Sequence, residues 1–330
     1  MSFFNNKYLL GDIGGTNTRL AIVKGKNNTF DFIKKAYYKN SDLTDITETI
    51  KEFVYNNKIK LACFAVAGPL NSDRTKVKLT NNNWLIDSNY ISKITSCKVI
   101  LLNDFEALGF SINTLKKEQY IELTTKGIDL SGTISIIGAG TGLGMSILYP
   151  YGGKYYPIPT EGGHSSIFFN PKSKFEMDLY AFMSKRKIII EAESLVSGRG
   201  IELIYNFLLT KGFKHNKKVI KEIQNSTNKP ELITKYALQD KDPLCIKTIE
   251  LFIIFYSRVA RDLALKTLCT SLVIAGGIAP KILPFMKDMF LEAFIEHEHI
   301  EARKMLEEMS IIVLTDQDIA FYGCYNAIKS

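Results

Sequence analysis

The sequence predicts an α/β protein with two domains. Apolar stretches of strand length alternate along the chain with segments of helical spacing, which is the pattern of an α/β fold. A length of 330 residues makes two domains the default expectation. Two strand–turn–strand units, at 8–23 and 133–150, resemble one another and suggest two related halves.

The first half begins with "YLLGDIGGTNTRLAIV" (8–23), two predicted strands around a glycine turn. Apolar residues recur at helical spacing within 41–57, which predicts a helix. "IKLACFAVAGPL" (59–70) is a short apolar strand stopped by a Gly-Pro pair. "KVILLNDF" (98–105) predicts a buried strand that ends in two polar residues, and "FEALGFSINTL" after it is helical.

The second half opens with "TISIIGAGTGLGMSILYP" (133–150), again strand, glycine-rich turn and strand. A helix beginning near Pro243 is apolar nearly all round, which predicts a place at the centre of the second domain. "SLVIAGGIAP" (271–280) is a strand with a Gly-Gly stop, and 310–330 reads as strand, polar turn and closing helix.

The composition is that of an ordinary globular protein, with 46% hydrophobic and 23% charged residues. No run approaches the roughly 18 apolar residues of a membrane span, and "MSFFNNKYLL" does not have the pattern of a signal peptide. The cysteines are five, scattered and without CxxC spacing, which indicates buried, reduced thiols. We therefore expect a cytoplasmic protein without a membrane partner.

The net charge of +8 comes largely from lysine-rich segments such as 211–222 and 116–120. Such charge attracts anions, nucleic acid among them. Solvated helix faces explain it better, because no basic stripe interleaved with aromatic residues and no nucleic-acid motif accompanies the charge. We expect no nucleic-acid partner.

Three glycine-rich turns follow apolar strands, and together they indicate a site for phosphates. Glycine lets the backbone approach a ligand closely, and successive N–H groups in such a turn bind anions. The sequence lacks GxxxxGK[ST]. "GAGTGLG" resembles a dinucleotide loop, but its last glycine comes one residue late and a strand follows, which disfavours that site. The three turns are Gly14-Gly15-Thr16-Asn17, Gly138–Gly144 and Gly276-Gly277.

Asp12 lies at the end of the first predicted strand, directly before a glycine turn. A carboxylate there can hold Mg²⁺, through water because this ion keeps much of its hydration. An aspartate that only initiates the turn is the alternative.

Asn103 and Asp104 follow a core strand at its carboxyl end, where open α/β sheets bind ligands. The alternative for Asp104 is an N-cap of a helix starting at Phe105. A helix N-terminus lowers the basicity of a carboxylate. This matters less in phosphoryl transfer, where the acid orients a hydroxyl and accepts its proton late.

A second polar set lies in "IPTEGGHSSIFFNP" (158–171), where Glu161 and His164 flank two glycines, so that a tight turn can direct both side chains to one place. Glu193 supplies a third group of the kind that binds sugar hydroxyls. Exposed loop or helix positions are the alternatives for each. His297 and His299 have a metal-like spacing, but their context looks helical and charged, and we interpret them as solvated.

Together these segments resemble the bacterial-type glucokinases of the hexokinase and actin-like ATPase superfamily. The similar segments run in family order from residue 8 to about 280, and the C-terminal strand and helix also fit. They are "LLGDIGGTNTRLAIV", "FAVAGPL", "LTNNNW", "LLNDFEALG", "IGAGTGLGMSIL", "PTEGGHSSIFF", "ESLVSGRGIELIY" and "LVIAGGIAP".

The resemblance implies a two-domain actin-like ATPase (ribonuclease H-like) fold with an interdomain cleft. It implies a small α/β domain at 1–114 plus 312–330 and a large one at 115–311. The implied reaction is transfer of the γ-phosphoryl group of Mg-ATP to the 6-hydroxyl of D-glucose, by a protein that forms a homodimer.

The resemblance also implies a role for each matching residue. Asp104 is the implied catalytic base, and the implied ligands of glucose are Asn103, Glu161, His164 and Glu193. The residues implied to face Mg²⁺ and phosphates are Asp12, Gly14, Gly15, Thr16 and Asn17; Gly140 and Thr141 hold phosphate, and Gly276 and Gly277 border the adenosine.

Some features depart from the family pattern or from its relatives. The related kinases and repressors with a zinc knot carry clustered cysteines after the histidine loop, and this chain has none there, so we expect no structural zinc. "NNNW" and "GPL" vary from common family wording, and Thr160 stands where many relatives have glycine. These departures concern the choice of sugar.

Three other functions remain open. Another hexose or amino-sugar kinase would use the same chemistry. A sugar-responsive repressor would need a helix-turn-helix before the first hairpin, where only seven residues precede Tyr8. An actin-like ATPase would hydrolyse ATP without sugar and would have no use for the "EGGH" loop.

Overall fold

The computed structural model describes residues 6–26, 29–79 and 84–330 of the chain. The predicted segment "LTNNNW" therefore lies partly outside the described residues, at 80–83. Within the described residues, the strands are β1 (Lys7–Ile13), β2 (Asn17–Lys26), β3 (Thr29–Lys39), β4 (Ile59–Val66), β5 (Lys76–Lys78), β6 (Leu85–Asp87), β7 (Lys98–Asn103), β8 (Tyr120–Glu122), β9 (Ile134–Ala139), β10 (Leu143–Tyr151), β11 (Lys154–Thr160), β12 (Ser271–Ala275) and β13 (Ser310–Leu314).

Helices and strands are mixed along the chain, as the sequence predicts, although the six helices from α4 to α9 follow one another without a strand between them. They are α1 (Ile46–Val54), α2 (Ser88–Thr95), α3 (Asp104–Ser111), α4 (Lys174–Lys185), α5 (Ala192–Leu195), α6 (Gly198–Thr210), α7 (Lys217–Asn225), α8 (Lys229–Leu238), α9 (Pro243–Thr267), α10 (Ala279–Ile295), α11 (Ile300–Glu308) and α12 (Ile319–Lys329). Within the described residues, no helix is long and apolar enough to cross a membrane.

The chain divides into two compact units. Unit 1 comprises Met1–Gln119, Ser146–Pro159 and Asp316–Ser330, and unit 2 comprises Tyr120–Met145 and Thr160–Thr315. The domains predicted from the sequence differ from these units at 115–119 and 146–159, which the prediction places in the large domain, and at 312–315, which it places in the small one. The predicted boundaries stay a prediction.

Unit 1 contains a five-stranded sheet in the order β3-β2-β1-β4-β7. β1 pairs with β2 in antiparallel register, because the first glycine turn joins them directly. β1, β4 and β7 are parallel, with Ile13 opposite Val66 and Val66 opposite Asn103. The carboxyl ends of these three strands therefore meet at one edge of the sheet.

Both faces of this sheet are covered, since successive strand side chains point to opposite sides. Leu9 packs in a cluster that includes Ile50 of α1 and Ile91 of α2. Leu10 packs on the other face with Ala107 of α3 and Phe321 of α12, among others. The buried strand predicted at 98–105 forms as β7, in which Leu101 and Leu102 are buried and Val99 and Ile100 are partly buried.

Unit 2 contains a sheet in the order β11-β10-β9-β12-β13-β8, of which β10 and β11 extend beyond the unit. β9, β12 and β13 are parallel neighbours. The predicted long helix near Pro243 is confirmed as α9, which is 25 residues long. It is buried along most of its length, among α6, α8 and α10.

The structure tests two local predictions, one for the cysteines and one for His297 and His299. The five cysteines are all buried with free thiols, as expected from their apolar surroundings. The expected helical context of His297 and His299 is wrong: both lie in the connection between α10 and α11, and their rings pack 5.6 Å apart. The charged segment 296–299 looks helical in the sequence, but α10 ends before it at Ile295 and α11 begins after it at Ile300.

A close backbone contact joins the last helix of unit 1 to α3. A Cβ atom built on Gly323 would lie 1.7 Å from the Ala107 carbonyl oxygen, so only glycine allows α12 to pack this closely. The contact positions α3 and with it the segment that carries Asn103 and Asp104.

Gly323→Ala should lower the free energy of unfolding by about 3 kcal/mol, because backbone atoms must move apart to admit the methyl group. Urea denaturation followed by circular dichroism measures this. Gly277→Ala is the control, since nothing lies within 4 Å of a Cβ atom there, and it should leave stability unchanged or slightly raised. Equal stability of the two variants would contradict the contact.

Candidate active site

The first predicted phosphate turn is closed by its own backbone. The Gly14 amide donates to the Asn17 carbonyl at 2.9 Å, which reverses the chain between β1 and β2. Gly15 and Thr16 form the tip of this turn. The structure thus confirms the strand–turn–strand prediction, and it leaves the phosphate role of the turn a prediction.

Asn40, in a neighbouring segment, holds this turn by hydrogen bonds that the local sequence pattern did not predict. Its Nδ2 donates to the Gly14 carbonyl at 2.8 Å, and its Oδ1 accepts from the Thr18 hydroxyl at 2.8 Å. Its backbone amide donates to the Thr16 carbonyl at 2.9 Å. Asn40 is buried, and nothing in the local pattern around it marks this function.

Asp12 lies next to the end of β1, as predicted, and it forms an ion pair with Arg19 of β2. The two residues are directly opposite in the register of the hairpin. Both Arg19 nitrogens in this pair contact Oδ2, and the Arg19 guanidinium also donates to the Gln317 carbonyl. The pair fixes the Asp12 carboxylate next to the turn.

The residues around Asp12 fit a water-mediated Mg²⁺ site. Its side chain is 17% exposed, and its Oδ1 atom is not used by the pair with Arg19. No group of three or more His, Cys, Asp or Glu side chains able to hold a metal occurs in the described ranges. A single carboxylate plus water and substrate phosphates is the usual arrangement for Mg²⁺, whereas dedicated protein cages suit other ions.

Asn103, not Asp104, caps α3. The alternative that made Asp104 the N-cap of a helix starting at Phe105 is therefore wrong: the helix begins one residue earlier. The Asn103 Oδ1 accepts from the backbone amides of Phe105 (2.9 Å) and Glu106 (3.3 Å). Asparagine competes for this position as well as aspartate does, so sequence alone does not choose between them.

Asp104 is consequently the first residue inside α3, and it is half-buried. Its Oδ1 accepts from the Phe105 amide at 3.0 Å. The Asn103 oxygen is occupied by the cap. A ligand that binds this side chain would therefore meet its Nδ2 group, which is a donor. Among the described residues, that group makes a long contact of 3.4 Å to the Gly68 carbonyl.

The parallel register places the unit 1 candidates together. The turn after β1 and the first residues of α3 lie at the same sheet edge, on either side of the loop after β4. The predicted residues at this edge are Asp12, Gly14, Gly15, Thr16, Asn17, Asn103 and Asp104.

Unit 2 repeats the arrangement of glycine turns at a parallel sheet edge. The Gly140 amide donates to the Gly142 carbonyl at 2.8 Å. Gly276 follows the neighbouring strand β12 with φ of +84°, and a Cβ atom there would lie 2.4 Å from the Ala139 carbonyl oxygen. The chain after β12 thus needs glycine at 276 to pass the turn after β9.

The "EGGH" loop packs against the start of β10. A Cβ atom on Gly163 would lie 2.1 Å from the Leu143 carbonyl oxygen. Thr160, where the family pattern has glycine, donates its hydroxyl to the Met145 carbonyl at 3.0 Å. Glu161 and His164 are both exposed on this loop, as the predicted tight turn requires.

His164 has an anionic partner that the sequence analysis did not identify. Its Nδ1 lies 3.1 Å from Glu191 Oε2, and this hydrogen bond raises the pKa of His164 above its ordinary value. The charges of Glu193 and Glu161 act in the same direction, and partial burial opposes them. In the described part of the chain, Nε2 of the ring makes no hydrogen bond.

Glu193 connects the glycine turn to the helix that follows it. Its Oε2 accepts from the Leu143 amide at 2.9 Å, and its Oε1 lies 2.5 Å from the Arg199 guanidinium. Its side chain is 14% exposed and that of Arg199 is 71% exposed. Taken alone, Glu193 resembled an ordinary helix residue, but these contacts tie it to the predicted phosphate turn.

A cavity of about 400 Å³ opens beside Glu193 in unit 2. Its wall is mixed, with Phe182 and Leu203 among the apolar residues and Glu191 and Arg199 among the charged ones. The predicted residues of this unit are Gly140, Thr141, Glu161, His164, Glu193, Gly276 and Gly277.

Comparison with solved structures identifies the fold. A glucokinase from Balamuthia mandrillaris in complex with glucose superposes with a TM-score of 0.80 at 20% identity, covering 98% of this chain and 94% of that one. A ROK-family glucokinase from Streptomyces griseus in complex with glucose and AMPPNP gives 0.68 at 15% identity over 98% and 99%. The protein therefore has the actin-like ATPase fold of the sugar kinases.

Comparison of sequences identifies the family, where the solved structures identify the fold. The family model described as glucokinase matches residues 9–330. A glucokinase from Trichormus variabilis is 33% identical over 336 aligned positions, covering 96% of both chains. The chain belongs to the glucokinase family, and it is a kinase.

The ion pair of His164 makes a testable prediction. Glu191→Gln should lower the pKa of His164, because the anionic partner of its imidazolium form is lost; proton NMR of the ring resonances measures it. Since the folded-state pKa is raised, the pair stabilises the protein fully below the unfolded pKa of about 6.5, and this contribution is lost as the pH rises through the folded value.

Glu231→Gln removes the same charge from an exposed ion pair with Lys281 and serves as the control. It should leave the His164 titration unchanged. An unaltered titration in Glu191→Gln would show that the pair does not form in solution.

Proposed function

We propose that the protein phosphorylates D-glucose at its 6-hydroxyl, with Mg-ATP as the phosphoryl donor. The observation that carries the proposal is the family match over residues 9–330. It is supported by the relatives that were crystallised with glucose, or with glucose and AMPPNP, and by the glycine turns at the sheet edges of both units.

Asp104 is the proposed catalytic base. At the first position of α3, its carboxylate is stabilised in the charged form by the helix N-terminus. A charged oxygen of Asp104 can accept a hydrogen bond from the 6-hydroxyl of glucose and so orient this hydroxyl towards the γ-phosphorus. The proton moves to Asp104 late, when the new bond to phosphorus is largely formed.

Asn103, Glu161, His164 and Glu193 are the proposed ligands of the remaining hydroxyls. The Asn103 amide donates, the two glutamates accept, and the His164 ring offers its Nε2 atom. A site of this kind selects strongly, because an analogue without the matching hydroxyl leaves protein groups unpaired, at a cost of about 10⁴-fold in specificity.

The glycine turns are the proposed phosphate and nucleotide contacts. Backbone N–H groups in the turns at Gly14–Asn17 and at Gly140 and Thr141 are the proposed donors that stabilise charge on the transferring group. The Gly14 and Gly140 amides are excepted, because they bond to carbonyls of their own turns. Gly276 and Gly277 leave room for the adenosine. Asp12 would hold Mg²⁺ through water, and the ion would neutralise charge on the phosphate oxygens.

A coupled assay with purified protein tests the proposal. With ATP, glucose should be phosphorylated with a larger kcat/KM than mannose, fructose, N-acetylglucosamine or glucosamine. A preference for another sugar would reassign the substrate within the same chemistry. ATP hydrolysis that does not depend on any sugar would overturn the proposal, and polyphosphate in place of ATP tests the donor.

Substitution of the base should separate chemistry from folding. Asp104→Asn should lower kcat by about 10²–10⁴-fold while leaving the KM for ATP nearly unchanged, because the variant keeps the size of the side chain and loses the proton acceptor. Steady-state kinetics measures this.

Asp87→Asn is the matched control, since Asp87 is an aspartate at the N-terminus of another helix of the same unit. It should keep kcat within about twofold of the parent. Parental kcat in folded Asp104→Asn would contradict the assignment of the base.

We also infer a homodimer in the cytoplasm that serves glycolysis, on the resemblance to the family. Light scattering coupled to size exclusion should give twice the chain mass of 37.3 kDa. A mass equal to one chain at micromolar concentration would contradict the dimer.

A further inference from the structure

The first turn of α3 is held by more than its cap. Glu106, three residues after the N-cap Asn103, returns its carboxylate to the start of the helix: its Oε2 accepts from the Asn103 backbone amide at 3.2 Å. With the Asn103 side chain bonded to the Glu106 amide in turn, this forms a capping box. Both the peptide and the side chain of Asn103 are thereby fixed.

Arg74 completes the arrangement from the loop after β4. Its guanidinium lies 2.5 Å from the same Glu106 Oε2 atom. The Glu106 side chain is 10% exposed, so its charge is largely removed from water and needs this cation. Arg74 adopts a left-handed backbone with φ of +58°, which is unusual for a residue other than glycine.

The loop that carries Arg74 also meets Asn103 directly. The Gly68 carbonyl of this loop accepts the long contact from Asn103 Nδ2. One loop therefore contacts the start of α3 twice, once through the arginine and once through its backbone. Asn103 and Asp104 cannot shift along the helix axis without breaking these contacts.

We propose that Glu106, held by Arg74, is a positioning residue for phosphoryl transfer: it fixes the backbone amide of Asn103, the residue before Asp104, and so sets where Asn103 and Asp104 meet the sugar. This inference rests on the proposed function and deepens it. Neither residue touches the reacting atoms. Their effect passes through Asn103, because a displacement of about 1 Å in a reacting group can cost about 10²-fold in rate.

Unit 2 contains a matched arrangement that serves as an internal control. Glu176 is the third residue of α4, accepts from the Asn170 amide at 2.8 Å, and pairs with Arg258 at 2.8 Å. It too is buried, and Ser173 caps the helix. No predicted site residue lies on α4, so the two pairs differ in what their helices carry.

Three variants of Glu106 test the proposal in the full-length protein, at a temperature where each is folded. Glu106→Ala removes the acceptor and should lower kcat by about 30-fold to 10²-fold. Glu106→Asp keeps the charge, but its shorter side chain does not reach the Asn103 amide, so kcat should fall by about 10-fold. Glu106→Gln keeps an acceptor of the same length and should stay within about threefold of the parent.

The control variant Glu176→Ala should lose thermal stability to a similar degree as Glu106→Ala, with kcat within about twofold of the parent. Equal loss of kcat in the two alanine variants would overturn the proposal, because the effect would then be one of general stability. Equal kcat in Glu106→Asp and Glu106→Gln would also overturn it, and this comparison decides the matter if Glu106→Ala does not fold.

Arg74→Ala tests the other half of the pair. It leaves the direct bond from Glu106 to the Asn103 amide, so kcat should fall less than in Glu106→Ala, by about threefold to 10-fold. Parental kcat in this variant would overturn the function assigned to Arg74.

Amide hydrogen exchange gives a readout that does not depend on the reaction. In Glu106→Ala and Glu106→Asp the amides of 103–106 should exchange at least tenfold faster, and in Glu106→Gln at the parental rate. Unchanged exchange in all three would overturn the positioning. If the parent protein does not phosphorylate glucose, the proposed function fails, and this measurement still decides whether Glu106 fixes the helix start.

Discussion

The structure depends on how backbone groups are satisfied where strands end. A strand that stops at a sheet edge leaves N–H and C=O groups without ladder partners, and buried groups of this kind must find others. In this protein, polar side chains from separate segments supply them. Asn40 bonds the first glycine turn, Asn103 and Glu106 bond the start of α3, and Glu193 bonds the turn after β9.

This constraint explains why the candidate residues are arranged so similarly in the two units. Each unit has parallel strands whose carboxyl ends form an edge, and a glycine turn lies at each edge. Glycine at 276 and 163 lets the backbone pass within van der Waals distance of a neighbouring carbonyl. Only glycine allows this close passage, since a Cβ atom at either position would collide with the carbonyl oxygen.

Ion pairs fix the positions of three acidic side chains. Asp12 is paired with Arg19, Glu106 with Arg74 and Glu193 with Arg199, so three partly buried carboxylates each have a guanidinium partner. Charges that are removed from water persist only when they are paired. The pairs hold these carboxylates in defined places, which is a requirement for binding a cation or a sugar hydroxyl.

The sequence by itself determined the order of strands and helices, the positions of the glycine turns and the family, because periodicity and turn residues are properties of contiguous segments. It placed Asp104 beside the right strand end but not at the right helix position, and it misread the connection that holds His297 and His299. Only the tertiary structure decided that Asn40 forms hydrogen bonds with the first turn, that Glu191 pairs with His164 and that Arg74 pairs with Glu106. These partners are 26 to 32 residues apart along the chain, and whether such residues meet depends on strand register and loop path, which no local pattern records.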